Sequence, residues 1–215
     1  MLWTHTYFQG KLSEKWALGA DASVRFRNPF DYLNSVLLRA GLFYHPKDIV
    51  EFGAGYAATW NYSPPQSKTS LITEHRIWQQ LVFKKQAGRW KFQYRLRPEE
   101  QWFDDPNRTS RLRMRNLLGL RFRLFQSDNW EWTAEVYDEI FLGRDNLHTF
   151  VFTDQNRIYA AVQTEYNEKS AISMGYQHSY FPGIEQKRPS MLHQLRIHLK
   201  YHIDWTTHQK RDKPK

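Results

Sequence analysis

The chain has 215 residues, with 31 Lys and Arg against 22 Asp and Glu, a formal net charge of +9, and no cysteine. That length suits one domain, the missing cysteines exclude disulfides and thiolate chemistry, and no run of eighteen apolar residues exists from which a membrane-spanning helix could be built. Aromatic residues make up 16% of the chain, including 9 Trp and 12 Tyr, a share that suits rings held at membrane–water interfaces.

In chain order, the first residues, Met1-Leu2-Trp3-Thr4-His5, have no basic start followed by an apolar core and so do not read as a secretory signal; a barrel reading then expects a processed or truncated form or a start upstream. Alternation with period two then dominates the sequence. Ala20, Ala22, Val24 and Phe26 alternate with Asp21, Ser23 and Arg25. From Val50 to Tyr62 the set Phe52, Ala54, Tyr56, Ala58 and Trp60 alternates with Glu51, Gly53, Gly55, Ala57 and Thr59. Trp90, Phe92, Tyr94 and Leu96 oppose Lys91, Gln93, Arg95 and Arg97, and Leu112, Met114, Leu118, Leu120, Phe122 and Leu124 oppose five arginines. Leu195, Ile197, Leu199, Tyr201 and Ile203 close the series against Gln194, Arg196, His198, Lys200 and His202. A helix would spread each set around its circumference, whereas a strand gathers it on one face.

Eleven segments carry strand signals, at about 2–12, 16–27, 33–45, 49–62, 72–86, 90–102, 110–125, 130–142, 153–166, 170–181 and 191–204. Most reach the roughly 9–11 residues of a tilted membrane strand, beyond the 5–6 usual in soluble proteins. Tight turns at 13–15, 46–48, 87–88, 127–129 and 167–169 alternate with longer loops at 28–32, 63–71, 103–109, 143–152 and 182–190. Short turns on one rim and longer loops on the other are the pattern of an outer-membrane barrel. Such barrels have even strand numbers, so ten strands are expected if 2–12 is not a full strand, or twelve if another precedes Met1. The expectation is an all-β, antiparallel, up-and-down transmembrane barrel over 1–205, followed by a basic, disordered tail at 206–215.

Alternation alone does not say which face is inside. Aromatics gather toward the ends of the apolar faces, as in Trp60 and Tyr62, Trp90 and Phe92, Trp130 and Trp132, and Tyr201 with Trp205, with few charges between. That favours an outward apolar face with interfacial girdles.

Leu12-Ser13-Glu14-Lys15-Trp16 leads into Arg25-Phe26-Arg27, and Tyr94-Arg95-Leu96-Arg97-Pro98-Glu99-Glu100 follows. Further on stand Glu135-Val136-Tyr137-Asp138-Glu139-Ile140-Phe141 and Gln155-Asn156-Arg157-Ile158-Tyr159, and then the terminal alternating strand. In these segments, most strongly in the runs from Glu135 and from Gln155, the chain resembles a bacterial family of unknown function, DUF2490. The resemblance implies an outer-membrane barrel of Gram-negative bacteria and supplies no catalytic residue. The tail after Trp205 departs from barrels of this kind, which end on their last strand.

The polar faces hold Arg25, Arg27, Arg76, Arg95, Arg97, Arg111, Arg113, Arg115, Arg121, Arg123 and Arg157, with Glu51, Glu74, Glu99, Glu135, Glu139 and Glu165. Since sequential strands are usually neighbours, the cluster expected to meet in the lumen is Arg76, Arg95, Arg97, Glu99, Arg111, Arg113, Arg115, Arg121, Arg123, Glu135, Glu139, Arg157 and Glu165. Two outcomes are open: a plug of ion pairs that adds rigidity, or a basic constriction that passes small anionic solutes. Membrane lipid is the expected partner, and no cofactor is called for. His198 and His202 share a face but lie about 13 Å apart on a strand, too far to chelate one metal. A lipid-modifying enzyme would need convergent groups at a rim, with His148, Asp145 and Asp154, or His178 and Ser179, as candidates. A soluble ligand-binding barrel is a further alternative. Nucleic-acid binding is disfavoured, because Arg and aromatics fall on opposite strand faces instead of sharing one surface.

Overall fold

The computed structural model describes residues 1–27, 32–63, 71–145, 149–183 and 188–206, with backbone only at 144–145 and 149–154. Eleven strands follow one another: β1 (Leu2–Lys11), β2 (Trp16–Phe26), β3 (Leu33–Lys47), β4 (Val50–Tyr62), β5 (Leu71–Ala87), β6 (Trp90–Phe103), β7 (Arg111–Gln126), β8 (Trp130–Asp145), β9 (Thr149–Tyr166), β10 (Ser170–Phe181) and β11 (Ser190–Asp204). Each pairs antiparallel with the next, and β1 pairs with β11, which closes the barrel. Among the described residues no helix is long and apolar enough to cross a membrane.

The strand count corrects the expectation of ten or twelve. An odd meander leaves its first and last strands pointing the same way, and here they join as a parallel ladder from Leu2↔Leu195 to Lys11↔Asp204. Parallel pairing satisfies the backbone groups of both strands almost as well as antiparallel pairing does, so the eleven strands close without another. A second correction concerns the loop placed at 143–152. After a register shift between Phe141 and Gly143, β8 and β9 continue pairing as far as Asp145↔Thr149. The run Thr149-Phe150-Val151-Phe152-Thr153 is β-branched and aromatic, and such residues extend strands. The tail expected at 206–215 lies, from 207 on, outside the described residues.

The two faces of the wall are sharply different. Inward positions are polar and buried: Glu99 is 3% exposed, Glu139 2% and Gln177 0%, with Arg97, Arg115, Gln101 and Gln163 also buried. Outward positions are apolar and bare, with Leu118 at 66% and Met174, Met191, Ile77, Ile158 and Val136 all exposed. At the short-turn rim, outward aromatics pair across adjacent strands: Trp16 with Tyr44, Trp90 with Phe122, and Trp130 with Tyr166, at ring-centroid distances of 4.8, 4.5 and 4.8 Å.

Aromatic rings also face inward, on the side that otherwise carries the polar residues. Trp78 and Phe43 pack with Ala17 and Ala57 as a small apolar cluster in the lumen. Trp78 can lie there because Gly41 and Gly55 line the wall beside it. A Cβ on Gly41 would stand 2.4 Å from the indole, and one on Gly55 would stand 2.1 Å from the Ala40 carbonyl oxygen.

Candidate functional site

The lumen holds a network of ion pairs built mainly on β5 to β9. Alternation along β6 turns Arg95, Arg97 and Glu99 inward, and the β6–β7 register sets Glu99 opposite Arg113 and Arg97 opposite Arg115. Glu99 accepts from Arg113 Nη2 at 2.7 Å and from Arg115 Nη1 at 2.8 Å, with Arg76 Nε at 3.6 Å. Arg115 also donates through Nε to Glu139 on β8, at 2.9 Å. Glu139 takes Arg95 Nη2 at 2.7 Å as well, and has Arg157 Nη1 at 3.9 Å. Arg115 therefore joins two buried carboxylates, and each carboxylate gathers several guanidiniums. The flat faces of Arg113, Arg115 and Arg157 lie over the Phe141 ring at 5.2, 4.8 and 4.4 Å, a contact that suits a weakly hydrated planar cation.

The other residues expected in this cluster are placed as follows. Arg97 donates to Gln80 and stacks over Trp78 at 5.0 Å. Arg121 pairs with Glu135 at 3.3 Å, and Arg123 approaches Glu131 at 3.9 Å nearer the short turns. Glu165 accepts from Gln163, and Arg111 sits at the long-loop end of β7, in register with Gln101 and Asp145. The central network thus unites Arg76, Arg95, Glu99, Arg113, Arg115, Glu139 and Arg157, while Arg121, Arg123, Glu135 and Glu165 lie nearer the short turns. Arg27 lies past the end of β2 and donates to the Tyr32 hydroxyl.

Several interior groups lie outside the expected cluster. Asp21 on β2 holds Arg39 of β3 at 2.5 Å and His5 of β1 at 3.1 Å. Glu51 accepts from Gln80 at 2.6 Å and from Lys84 at 2.7 Å. Arg196 donates to Tyr137 and Gln177. Parity was the available signal: Trp3 shares its face with His5, Tyr7 and Gln9, and Arg39 shares its face with Gly41 and Phe43.

Alongside the network runs a cavity of about 810 Å³, from Asp48, Lys84 and Lys91 at the short-turn end to Arg25, Asn61 and Glu74 toward the long loops. Fourteen Arg and Lys line it against six Asp and Glu, so the space is strongly electropositive. A low-dielectric wall focuses such a field on anything that enters.

Of the rim candidates for catalysis, His148, and the side chains of Asp145 and Asp154, lie outside the described residues. His178 and Ser179 are not brought together. They are consecutive on β10, so they face opposite sides: Ser179 bonds inward to Gln177 and Gln194, while His178 packs against His193. Among the described residues no group of three or more His, Asp or Glu could hold a metal ion.

A closed meander of eleven strands with a charged interior and an apolar exterior defines the class: a β-barrel whose faces are inverted relative to a soluble one. The chain belongs to the family described as Protein of unknown function (DUF2490), whose model matches residues 1–189. The closing strand β11 lies beyond that range. No curated protein and no solved structure is detectably similar to the chain.

Proposed function

We propose that the chain is an outer-membrane β-barrel of Gram-negative bacteria, with lipid against its outer wall, and that its Arg-lined interior is a narrow passive route for small anionic solutes. The observation that carries this reading is the inversion of the faces. Large exposed apolar patches on a single chain need a partner, and here they encircle the barrel. A hydrocarbon layer is a partner that meets all sides at once, and closure of the sheet leaves no unpaired edge within it. The paired aromatics at the short-turn rim support an interfacial girdle. The excess of cations along the cavity supports anion preference, as rings of Arg and Lys do in anion pores.

Two measurements test it in order. Protein refolded in detergent should migrate faster before boiling than after, and should not fold in buffer alone. In planar bilayers the reversal potential should then report anion over cation permeation, and Lys84→Gln with Lys91→Gln should reduce that preference. A folded, monomeric protein in detergent-free buffer would overturn the membrane reading. An unselective or silent bilayer would overturn the passage reading.

A second reading, a lipid-modifying enzyme, has one observation in its favour. On the outward face the Tyr56 hydroxyl donates to His75 Nδ1, and His75 Nε2 donates to Asp104 at 3.1 Å. A histidine oriented by a carboxylate and poised on a hydroxyl is the order of a nucleophile-activating relay. Release of fatty acid from phospholipid vesicles, lost in His75→Ala with folding intact, would establish it. No turnover would remove it.

A further inference from the structure

Three neighbouring strands at the closing seam set Arg25, Trp3 and Arg196 at one level. Trp3 is in register with Arg25 on β2 and with Arg196 on β11. Both guanidiniums stack on the Trp3 indole, 4.0 and 4.1 Å from its centroid. Arg157 approaches the same ring at 5.9 Å, from β9, which is separated from β1 by two strands. Three cations thus converge on one ring from different parts of the wall.

Their charges are poorly compensated. Glu74 and Glu139 line the same cavity but are engaged elsewhere: Glu74 accepts from Arg76 and Gln101, and Glu139 accepts from Arg95 and Arg115. Arg157 stands 3.9 Å from Glu139. Arg196, only 7% exposed, donates to the neutral oxygens of Tyr137 and Gln177. Arg25 has no carboxylate partner among the described residues. The Nε atoms of Arg25, Arg157 and Arg196 are each buried without an acceptor, and all three side chains line the cavity. A buried charged donor left without an acceptor is costly, and cations gathered without anions repel.

We propose that this cluster is a binding site for a phosphate-type oxyanion: inorganic phosphate or the phosphate group of a small solute. A planar carboxylate satisfies one guanidinium fork. An acceptor with oxygens in several directions, and two negative charges, matches three guanidiniums arriving from different strands. The Trp3 ring holds two of the forks in place before the ligand arrives. The proposal rests on the passage reading only for how the ligand reaches the lumen.

The test uses the full chain folded in a zwitterionic detergent, with sodium phosphate replacing sodium chloride at constant ionic strength. The thermal midpoint should rise and saturate with phosphate, and acetate should act at least tenfold more weakly. Arg25→Gln with Arg196→Gln should lower the apparent phosphate affinity at least tenfold, whereas Arg123→Gln, placed nearer the short turns, should leave it unchanged. Should the double variant fail to fold, Arg25→Lys serves: it keeps the charge but loses the planar fork, so affinity should fall severalfold. No saturation in the native chain, an equal response to acetate, or unchanged affinity in these variants would overturn the site. Phosphate binding without bilayer conductance removes the passage reading and keeps the site. Conductance without phosphate binding removes the site and keeps the passage.

Discussion

Glu99 shows at the scale of one residue how the interior is held. Its carboxylate, 3% exposed, is the shared acceptor of Arg113 and Arg115. Glu99→Gln keeps the shape and removes the charge, leaving two buried guanidiniums with a weak acceptor. Breaking a buried pair in this way costs about 3–5 kcal/mol. Arg121→Gln removes a pair in which the arginine side chain is 33% exposed, and such pairs contribute about 0–1 kcal/mol. Urea titrations of the two variants in lipid vesicles should therefore differ severalfold in the stability lost. Equal losses would mean that lumen water screens both pairs alike. The central partners were legible because alternation puts Arg95, Arg97 and Glu99 on one face and Arg113 and Arg115 on the facing one. Arg25 was legible as a cation of the polar face, but its place on Trp3 was not. Period two assigns a side, and it does not say that the side chains of β2, β1 and β11 meet at one level, because that level depends on how the seam closes.

Turns decide how the elements follow one another, and the β9–β10 turn is chemically mismatched to its shape. Asn167 and Glu168 both have positive φ, at 50° and 55°, which is the backbone of a tight hairpin turn with two left-handed residues. Asn tolerates that region through its short polar side chain, but Glu does not. Glu168→Gly should stabilise the barrel by about 0.4–1 kcal/mol, read as a higher urea midpoint at unchanged slope. Gly88, at φ 60°, is in the corresponding state at the β5–β6 turn, and Gly88→Ala should shift the midpoint the other way. Both turns were legible from their residues, as were the other tight turns, at 13–15, 46–48 and 127–129. What escaped was the pairing of the two ends. The alternation of β11 is the same whether its neighbour runs parallel or antiparallel, so the pattern holds no record of how the ring closes. The continuation of β8 and β9 past residue 142 was also missed, since Gly143 and Asp145 look like loop residues while the ladder they join depends on the partner strand.

The whole molecule presents tryptophans to two environments, and that contrast tests the orientation of the wall directly. Trp130 lies on the outward face at 45% exposure, paired with Tyr166 at the short-turn rim, while Trp78 is 1% exposed inside the lumen under Arg97 and beside Phe43. If lipid surrounds the barrel, acyl chains reach the first ring and never the second. Two chains that each retain one tryptophan, with the other eight replaced by Phe, can be refolded into vesicles containing brominated acyl chains, since contact with bromine quenches indole emission. Trp130 should be quenched strongly, with the greatest effect when the bromines lie near the headgroups, as an interfacial ring requires. Trp78 should keep its emission, because eleven hydrogen-bonded strands stand between it and the lipid. The outward face also tests itself through Asp138, an exposed carboxylate among Leu118 and Ile158 that accepts from Asn156 at 2.5 Å. A charge facing hydrocarbon is unfavourable in proportion to its depth, so a wall covered by lipid at that level would be stabilised by Asp138→Leu. Quenching of Trp130 without that stabilisation would place Asp138 in the headgroup layer. Equal quenching of both tryptophans would mean that the barrel is open to lipid, and no quenching of either would mean that something other than lipid covers the apolar wall.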